Sequence, residues 1–278
     1  MMPMSEDQGA RYDRIAEGYA RHWAPVIRPA AVELLDDLAP LLPVGAAHLL
    51  DIGTGTGTLA LEATDRWPAA RVTGIDASSE MANWANREAD RRLVGSARSR
   101  FSTTVALAGR LPFPDATFDG AMSSFVLQLV PNRAAALREA RRVLRPGAPF
   151  AFVTWLRHVD VDQPDRIFDE VLDEFGFDPP EPDSPTRDPA SARAAANGLR
   201  RAGFRDVRAR EGWIVHPWTP RSYIDFQEGF NEESLFDELV ERERRALRRR
   251  LLERLRELTP DELRFRSPIV YVTGRVAN

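Results

Sequence analysis

The chain has 278 residues, enough for one large α/β domain with insertions or for two small domains. Hydrophobic residues make up 43% and can build a sizeable core, while a formal charge of -4, with arginines interleaved among acids, gives no basic patch for nucleic acid. The absence of cysteine excludes disulfides, thiolate metal sites and a cysteine nucleophile.

The opening stretch, "MMPMSEDQGARYDRIAEGYARHW", lacks an apolar signal core. No apolar run approaches the roughly 20 residues of a membrane helix, so a soluble, cytoplasmic protein without membrane partners is expected. Residues 12–23 read as a short helix carrying aromatics. Pro25 and Pro29 are expected to break the chain before a second helix over 30–42, which Pro43 and Gly45 end. His48 to Ile52 is a short apolar run, read as a buried strand. A glycine turn and the helix "TLALEATDRW" follow, then a strand over 71–76. A helix from "SSEMANWANREADRR" comes next, with Ser78 or Ser79 as N-cap. Strand, glycine turn, helix, strand, acid and helix in this order predict a doubly wound, mainly parallel sheet.

Further strands are predicted over 100–107, from Gly120, and over 148–155, with a helix over 132–144 between the last two. An acidic helical segment and the proline-rich "DPPEPDSPTRDPA" then read as an inserted loop. Asp188 and Pro189 predict the N-cap and first residue of the next helix. A sixth strand over 204–215, helices over 221–258 and a last strand over 266–276 complete the chain. The arginine-rich "ERERRALRRRLLERLREL" has leucines at helical spacing and reads as an amphipathic helix with a solvated face.

The turn in "LLDIGTGTGTL" fits two kinds of cofactor. Glycines permit positive φ and close approach of a ligand to the main chain, beside a helix N-terminus. The dinucleotide fingerprint fails in the frame Gly53, Gly55, Thr58 and passes in the frame Gly55, Gly57, Ala60. Asp76 lies about 20 residues on, where that fingerprint places a ribose-binding acid. Asp51, just before the glycines, disfavours a pyrophosphate through charge repulsion. It favours a cofactor with an ammonium or sulfonium group, and S-adenosylmethionine has both.

The blocks "YDRIAEGYARHW", "LLDIGTGTGTLAL", "VTGIDASSEMANWA", "GRLPFPDATFDGAMSSFVLQLVPN" and "ALREARRVLRPGAPFAFVTW" occur in order over residues 12 to 155. Here the chain resembles the class I S-adenosylmethionine-dependent methyltransferases, most closely the small-molecule branch of the ubiquinone and menaquinone biosynthesis methyltransferases. The resemblance implies one domain over 1–278 with a Rossmann-like, seven-stranded sheet whose last strand is antiparallel. It divides the chain into an N-terminal helical lid (12–45), a cofactor-binding core (46–155), a helical cap with substrate-side elements (156–258) and a final strand (266–278).

The same resemblance implies that Gly53, Thr54, Gly55 and Gly57 line the methionine and ribose side of S-adenosylmethionine, with Asp51 fixing the loop. Asp76 would bind the ribose hydroxyls, and Ala77 and Met81 would pack near the adenine. Ser123 and Ser124 would contact the methionine moiety, and Tyr12 and Tyr19 would close over the cofactor from the lid. The alternative for the tyrosines is ordinary helix packing.

The family pattern Gly-Asp-Ala-Glu before "LPFPD" is replaced by Ala106, Leu107, Ala108 and Gly109. Leu107 cannot accept from the adenine amino group, which leaves the Ala108 backbone to meet the adenine edge. Gln128 stands where the family commonly has a histidine.

Methyl transfer needs mainly position, and a general base helps only if the acceptor loses a proton. His22 and His158 are the candidates; His216 reads as a strand end and His48 as structural. The histidines show no metal-ligand spacing, so no metal is expected. Phe168, Phe175, Phe177, Trp213, Trp218, Tyr223 and Phe226 in the cap suggest an apolar acceptor pocket, or else the cap's own core. The acceptor is a small molecule, and the oligomeric state, monomer or homodimer, is open. Two other readings stand beside methyl transfer: a nicotinamide-dependent oxidoreductase, and a binder that has kept the fold.

Overall fold

The computed structural model describes residues 4–45, 47–158, 160–177 and 188–277. Seven strands form one sheet: β1 (His48–Ile52), β2 (Arg71–Asp76), β3 (Phe101–Val105), β4 (Gly120–Ser124), β5 (Pro149–Trp155), β6 (Phe204–Pro217) and β7 (Arg264–Val276). Their order is β3-β2-β1-β4-β5-β7-β6. The pairs among β1 to β5 are parallel, and β7 runs antiparallel to both β5 and β6. This is the doubly wound, mainly parallel sheet expected from the alternation of elements.

Burial follows from position in the sheet. Four of the five residues of β1 are buried, and six of the seven of β5. Both strands are covered on two faces, which is why they read as continuous apolar runs. Leu49, Val72, Met122, Ala151 and Val153 face one core. Leu50, Ile52, Ile75, Phe150 and Phe152 alternate into the other. The first core takes α2 (Ala24–Leu38), α3 (Thr58–Arg66) and α4 (Ser79–Arg92); the second takes α5 (Arg133–Val143) and α7 (Ala192–Arg201). The edge strand β6 is largely uncovered, and Trp213 on it is 61% exposed.

The N-terminal helices differ from expectation. α1 (Met4–Gly18) passes through a π-helical turn at Tyr19–Trp23 straight into α2, so neither proline breaks the chain. Pro25 sits in the first turn of α2, where a missing N–H costs little. The Ala24 N–H reaches back to the Tyr19 carbonyl, the wide spacing that absorbs the irregularity. Pro29 is then carried inside a helix whose buried face, including Leu34, Leu35 and Leu38, is tied to the sheet by packing.

A second correction concerns α7. Ser191, not Asp188, is its N-cap and accepts from the Ala194 N–H, with Ala192 as the first helical residue. Most of the proline-rich stretch before it lies outside the described residues. Beyond α6 (Gln163–Phe175) come α8 (Pro220–Phe226), a π turn at Gln227–Asn231, α9 (Glu233–Glu238) and α10 (Glu241–Leu255). The leucines of α10 are fully buried at Leu247, Leu251 and Leu255. Its Arg250 and Arg254 bind Glu174 and Glu170 of α6, so much of the polar face is tied to a neighbouring helix. No described helix is long and apolar enough to cross a membrane.

The junction of α1 with the cap is set by an absent side chain. A Cβ on Gly18 would lie 1.8 Å from the Gly229 carbonyl oxygen, so only glycine permits this contact. Gly18→Ala is expected to destabilise the chain by about 1–3 kcal/mol. A thermal melt showing an unchanged midpoint would refute that packing.

Candidate functional site

The carboxyl ends of β1, β2, β4 and β5 open onto a cavity of about 840 Å³. It lies where the strand order reverses at β1, the place where open α/β sheets bind ligands. The lid contributes Tyr12, Tyr19 and Trp23; the strand ends contribute Gly53, Gly55, Ile75, Asp76, Ser124 and Trp155. Ala77 of the β2–α4 connection and Met81 in the first turn of α4 line it, and so do Ala106, Leu107, Ala108 and Gly109. Sequence motifs separated by more than a hundred residues therefore meet in one wall.

The glycine turn is held from within. Gly53 and Thr54 both donate to the Ile75 carbonyl at 2.8 Å, and Gly57 donates to the Thr54 carbonyl at 2.9 Å. Gly55 donates to Asp76 Oδ2 at 2.8 Å. Gly53 has φ +73°, and a Cβ there would fall 2.3 Å from the Val126 side chain. The turn thus requires glycine both for its backbone and for the approach of the β4–α5 segment.

Asp76 organises the second loop as well. Its Oδ1 accepts from Ser78 N–H at 2.9 Å, and burial raises its carboxyl above the ordinary range against the pull of these amides. The Ala77 amide also acts on this carboxylate, which keeps lone-pair capacity for a further donor. Ser78 then caps α4 by accepting from Met81 N–H at 3.0 Å. Asp13 of the lid completes the arrangement, accepting from Ser78 Oγ at 2.6 Å and Glu80 N–H at 3.0 Å. The Glu80 amide, followed by the Ser78 hydroxyl, holds the Asp13 carboxyl below its usual range. Asp13 was not among the residues singled out from sequence. Its signal was its place in the first block, at the N-terminus of a facing helix.

Asp51 lies behind the turn, 1% exposed, rather than in the cavity wall. Thr54 Oγ1 donates to its Oδ2 at 2.9 Å, while its Oδ1 has no hydrogen-bond partner among the described residues. Burial pushes its carboxyl up to about 7; the Thr54 bond opposes that shift and the nearby Asp76 adds to it. Thr54, Gly57 and Ser123 also lie behind the wall, where Ser123 Oγ donates to the Ile52 carbonyl at 2.8 Å. Tyr19 meets Tyr12 edge to face at 6.1 Å, and burial raises its phenol far above the ordinary value. It therefore remains a hydrogen-bond donor at all working pH.

Neither His22 nor His158 lines the cavity. His22 packs under Gly229, and its pKa is lowered by burial and then by Arg21. His158 faces Asp160 at 3.7 Å and the Trp213 ring. His48 bonds Thr73 at 2.9 Å beside Phe118, inside the sheet. His216 lies near the end of β6, against Trp218. Gln128 does line the cavity, fixed by the Phe125 carbonyl at 2.7 Å and Thr154 Oγ1 at 2.8 Å. Phe125 adopts φ +54°, a left-handed conformation costly for a non-glycine residue, and its ring lies 4.5 Å from Trp155. The aromatics of the cap do not line this cavity; its rings come from Tyr12, Tyr19, Trp23, Phe125 and Trp155.

Comparison with known proteins agrees with this geometry. Residues 50–152 match the family model described as a methyltransferase domain. A ubiquinone/menaquinone biosynthesis C-methyltransferase from Paracoccus denitrificans is 40% identical over 107 residues, 38% of this chain and 42% of that protein. The 27-O-demethylrifamycin SV methyltransferase of Amycolatopsis mediterranei is 34% identical over 170 residues, 55% of this chain and 60% of that one. The chain thus spans about half the length of these relatives. The crystal structure of the cyclase SpnF superposes with a TM-score of 0.59 at 20% identity, covering 99% and 98% of the two chains, a likeness of fold.

The raised pKa of Asp51 carries a stability consequence. The unfolded carboxyl titrates at about 4, and the folded one at about 7. Folding therefore takes up a proton between these values. The stability this group contributes is full below about pH 4 and drains away as pH climbs toward 7. Asp51→Asn cannot titrate, so its melting temperature should gain on the wild type by a few degrees between about pH 5 and 7.5 without ligand. Parallel melting curves across that range would show that Asp51 is not the group responsible.

Proposed function

We propose that this chain, whose residues 50–152 match a methyltransferase domain, is a class I methyltransferase that transfers a methyl group from S-adenosylmethionine to a small-molecule acceptor. The carrying observation is the state of the turn amides. The N–H groups of Gly53, Thr54, Gly55 and Gly57 are all taken by protein oxygens. A pyrophosphate needs such amides pointing at it. It would instead meet Asp76 in the wall and Asp51 behind it. Arg11 and Arg110 also line the cavity, but the turn itself offers a pyrophosphate only occupied amides and two nearby acids, which argues against the nicotinamide reading.

The residues present fit that cofactor. Asp76 offers its remaining lone pairs to vicinal hydroxyls. Met81 and Ile75 give apolar walls for a base, and the 106–109 segment gives main-chain edges. Leu107 is 40% exposed and accepts the Arg110 N–H through its carbonyl at 2.9 Å. A charge-assisted bond of roughly 1.5–3 kcal/mol is missing there relative to the family pattern. Affinity is thus lower than the family pattern would give, and this feature also favours a second reading, a binder that has kept the fold.

When bound, S-adenosylmethionine supplies a methyl already activated by its sulfonium. The chain's residues contribute position. Tyr12 and Tyr19 close the cavity from the lid, and Trp23, Phe125 and Trp155 exclude water from the acceptor side. Orientation of this kind accounts for roughly 7–11 kcal/mol of a barrier. The wall holds no histidine, and its carboxylates are Asp76 and Asp188.

Calorimetric titration should show micromolar binding of S-adenosylhomocysteine and none of NADH; binding of NADH alone would overturn the proposal. Turnover in a screen of small acceptors would separate the enzyme from the binder. Asp76→Ala should weaken S-adenosylhomocysteine by about tenfold or more while the chain still melts cooperatively, and an unchanged affinity would mean that the site is elsewhere.

A further inference from the structure

Beside the main cavity lies a second one of about 190 Å³, and Trp23 forms part of the wall of both. Its other rings come from distant segments: Trp218, Tyr223 and Phe226 around α8, and Phe265 at the start of β7. The rings are in contact. Trp23 and Trp218 both stack on Phe226, with centroids at 5.4 and 5.0 Å, and Phe265 meets Trp23 edge to face at 5.6 Å.

Two carboxylates, Asp162 and Asp165, complete this aromatic wall. Asp165 is held in place by a relay of neutral groups. The Tyr223 hydroxyl donates to its Oδ1 at 2.6 Å, Gln227 Nε2 donates to the Tyr223 oxygen at 2.6 Å, and Asn231 Nδ2 donates to Gln227 Oε1 at 2.9 Å. Asp162 accepts the Arg266 backbone N–H at 3.4 Å, while the Arg266 guanidinium pairs with Asp261. Among the described residues neither Asp162 nor Asp165 makes an ion pair. Burial, with Asp162 and Asp169 nearby, holds the Asp165 carboxyl up at about 6 against the Tyr223 bond.

Aromatic faces attract cations, and a largely buried carboxylate that makes no ion pair does so more strongly. Arg266 and His158 lie near enough to act on Asp162, but no cation acts on Asp165, so a neutral or anionic group would leave Asp165 without a countercharge. We propose that this box binds an alkylammonium or quaternary ammonium group. On the methyl-transfer reading above, it anchors the amine-bearing part of the acceptor, with the rest of the acceptor passing Trp23 into the main cavity. An amine held there as ammonium has no lone pair and cannot attack a methyl group. The acceptor therefore carries a second nucleophile, and the box fixes which atom is methylated.

Choline and dimethylbutanol, its neutral isostere with carbon in place of nitrogen, test the box in the full chain. Binding is read by tryptophan fluorescence, since Trp23 and Trp218 line the wall, and by calorimetry. Choline should bind about tenfold or more tightly than the isostere. Asp165→Asn should cut choline affinity about tenfold while S-adenosylhomocysteine binding stays within about twofold, which also certifies the fold. Should that variant misfold, Trp218→Leu should show the same selective loss. Equal binding of the two probes, no binding of choline, or an Asp165→Asn variant that binds choline normally would overturn the proposal. Loss of discrimination with S-adenosylhomocysteine binding intact would sink the box alone. Failure of S-adenosylhomocysteine to bind, with discrimination intact, would sink the methyl-transfer reading alone.

Discussion

The carboxylate of Asp76 is the point to which three separate pieces of this molecule are tied. Its Oδ2 holds the glycine turn after β1, and its Oδ1 holds the start of the β2–α4 connection. Ser78, two residues on, caps α4 and also donates to Asp13 of the lid. Without this carboxylate the turn would keep its bonds to the Ile75 carbonyl and the lid its bonds through Asp13, but the turn would no longer be tied to the β2–α4 connection through a shared group. Because a carboxylate has about four lone-pair sites and these amides do not fill them, the group that builds the site can also meet a ligand. Structure and recognition share one residue here, which is why its position at a strand end is demanding.

The two faces of the sheet explain what could be read in advance. A parallel strand covered on both sides is buried along its length; β5 and most of β1 carry this as apolar runs, whereas β2 and β4 are buried with Thr, Gly and Ser among them. Caps at Ser78 and Asn132 are local chemistry and are equally visible. What could not be read depends on contacts made across the chain. The prolines at Pro25 and Pro29 look like breakers by propensity, yet a π turn and a buried leucine face carry the helix through them. Asp188 and Pro189 have the composition of a helix start, but the backbone turns helical only after Ser191.

The site shows the same division. Gly53, Gly55, Asp76, Ala77, Met81 and Ser124 line the cavity, because motif order fixes which strand ends adjoin, while Gly57, Thr54 and Ser123 lie behind its wall. Tyr12 and Tyr19 do reach the cavity wall from the lid. Among the histidines, His48 lies in the sheet and His216 near the end of β6, as read, but the candidates His22 and His158 do not line the cavity, because whether an imidazole faces it depends on a single turn of backbone. The aromatic residues of the cap were visible as a group, but their partition was not. Phe168 joins the core near Phe236, Trp213 remains exposed on an edge strand, and Trp218, Tyr223 and Phe226 surround a separate small cavity.

That partition gives the two cavities different chemistry. The larger one presents polar groups at the strand ends, where Asp76 and the turn lie, and rings on the side toward Trp23 and Trp155. The smaller one presents rings and two carboxylates without a cation. Trp23 belongs to both, and it sits at the end of the π turn that joins the lid to α2. The irregular helix therefore does more than accommodate Pro25: it sets a ring between the two cavities. A regular α-helical turn would rotate Trp23 by a different angle about the helix axis. The wall common to the two cavities would then no longer be built from the same side chain.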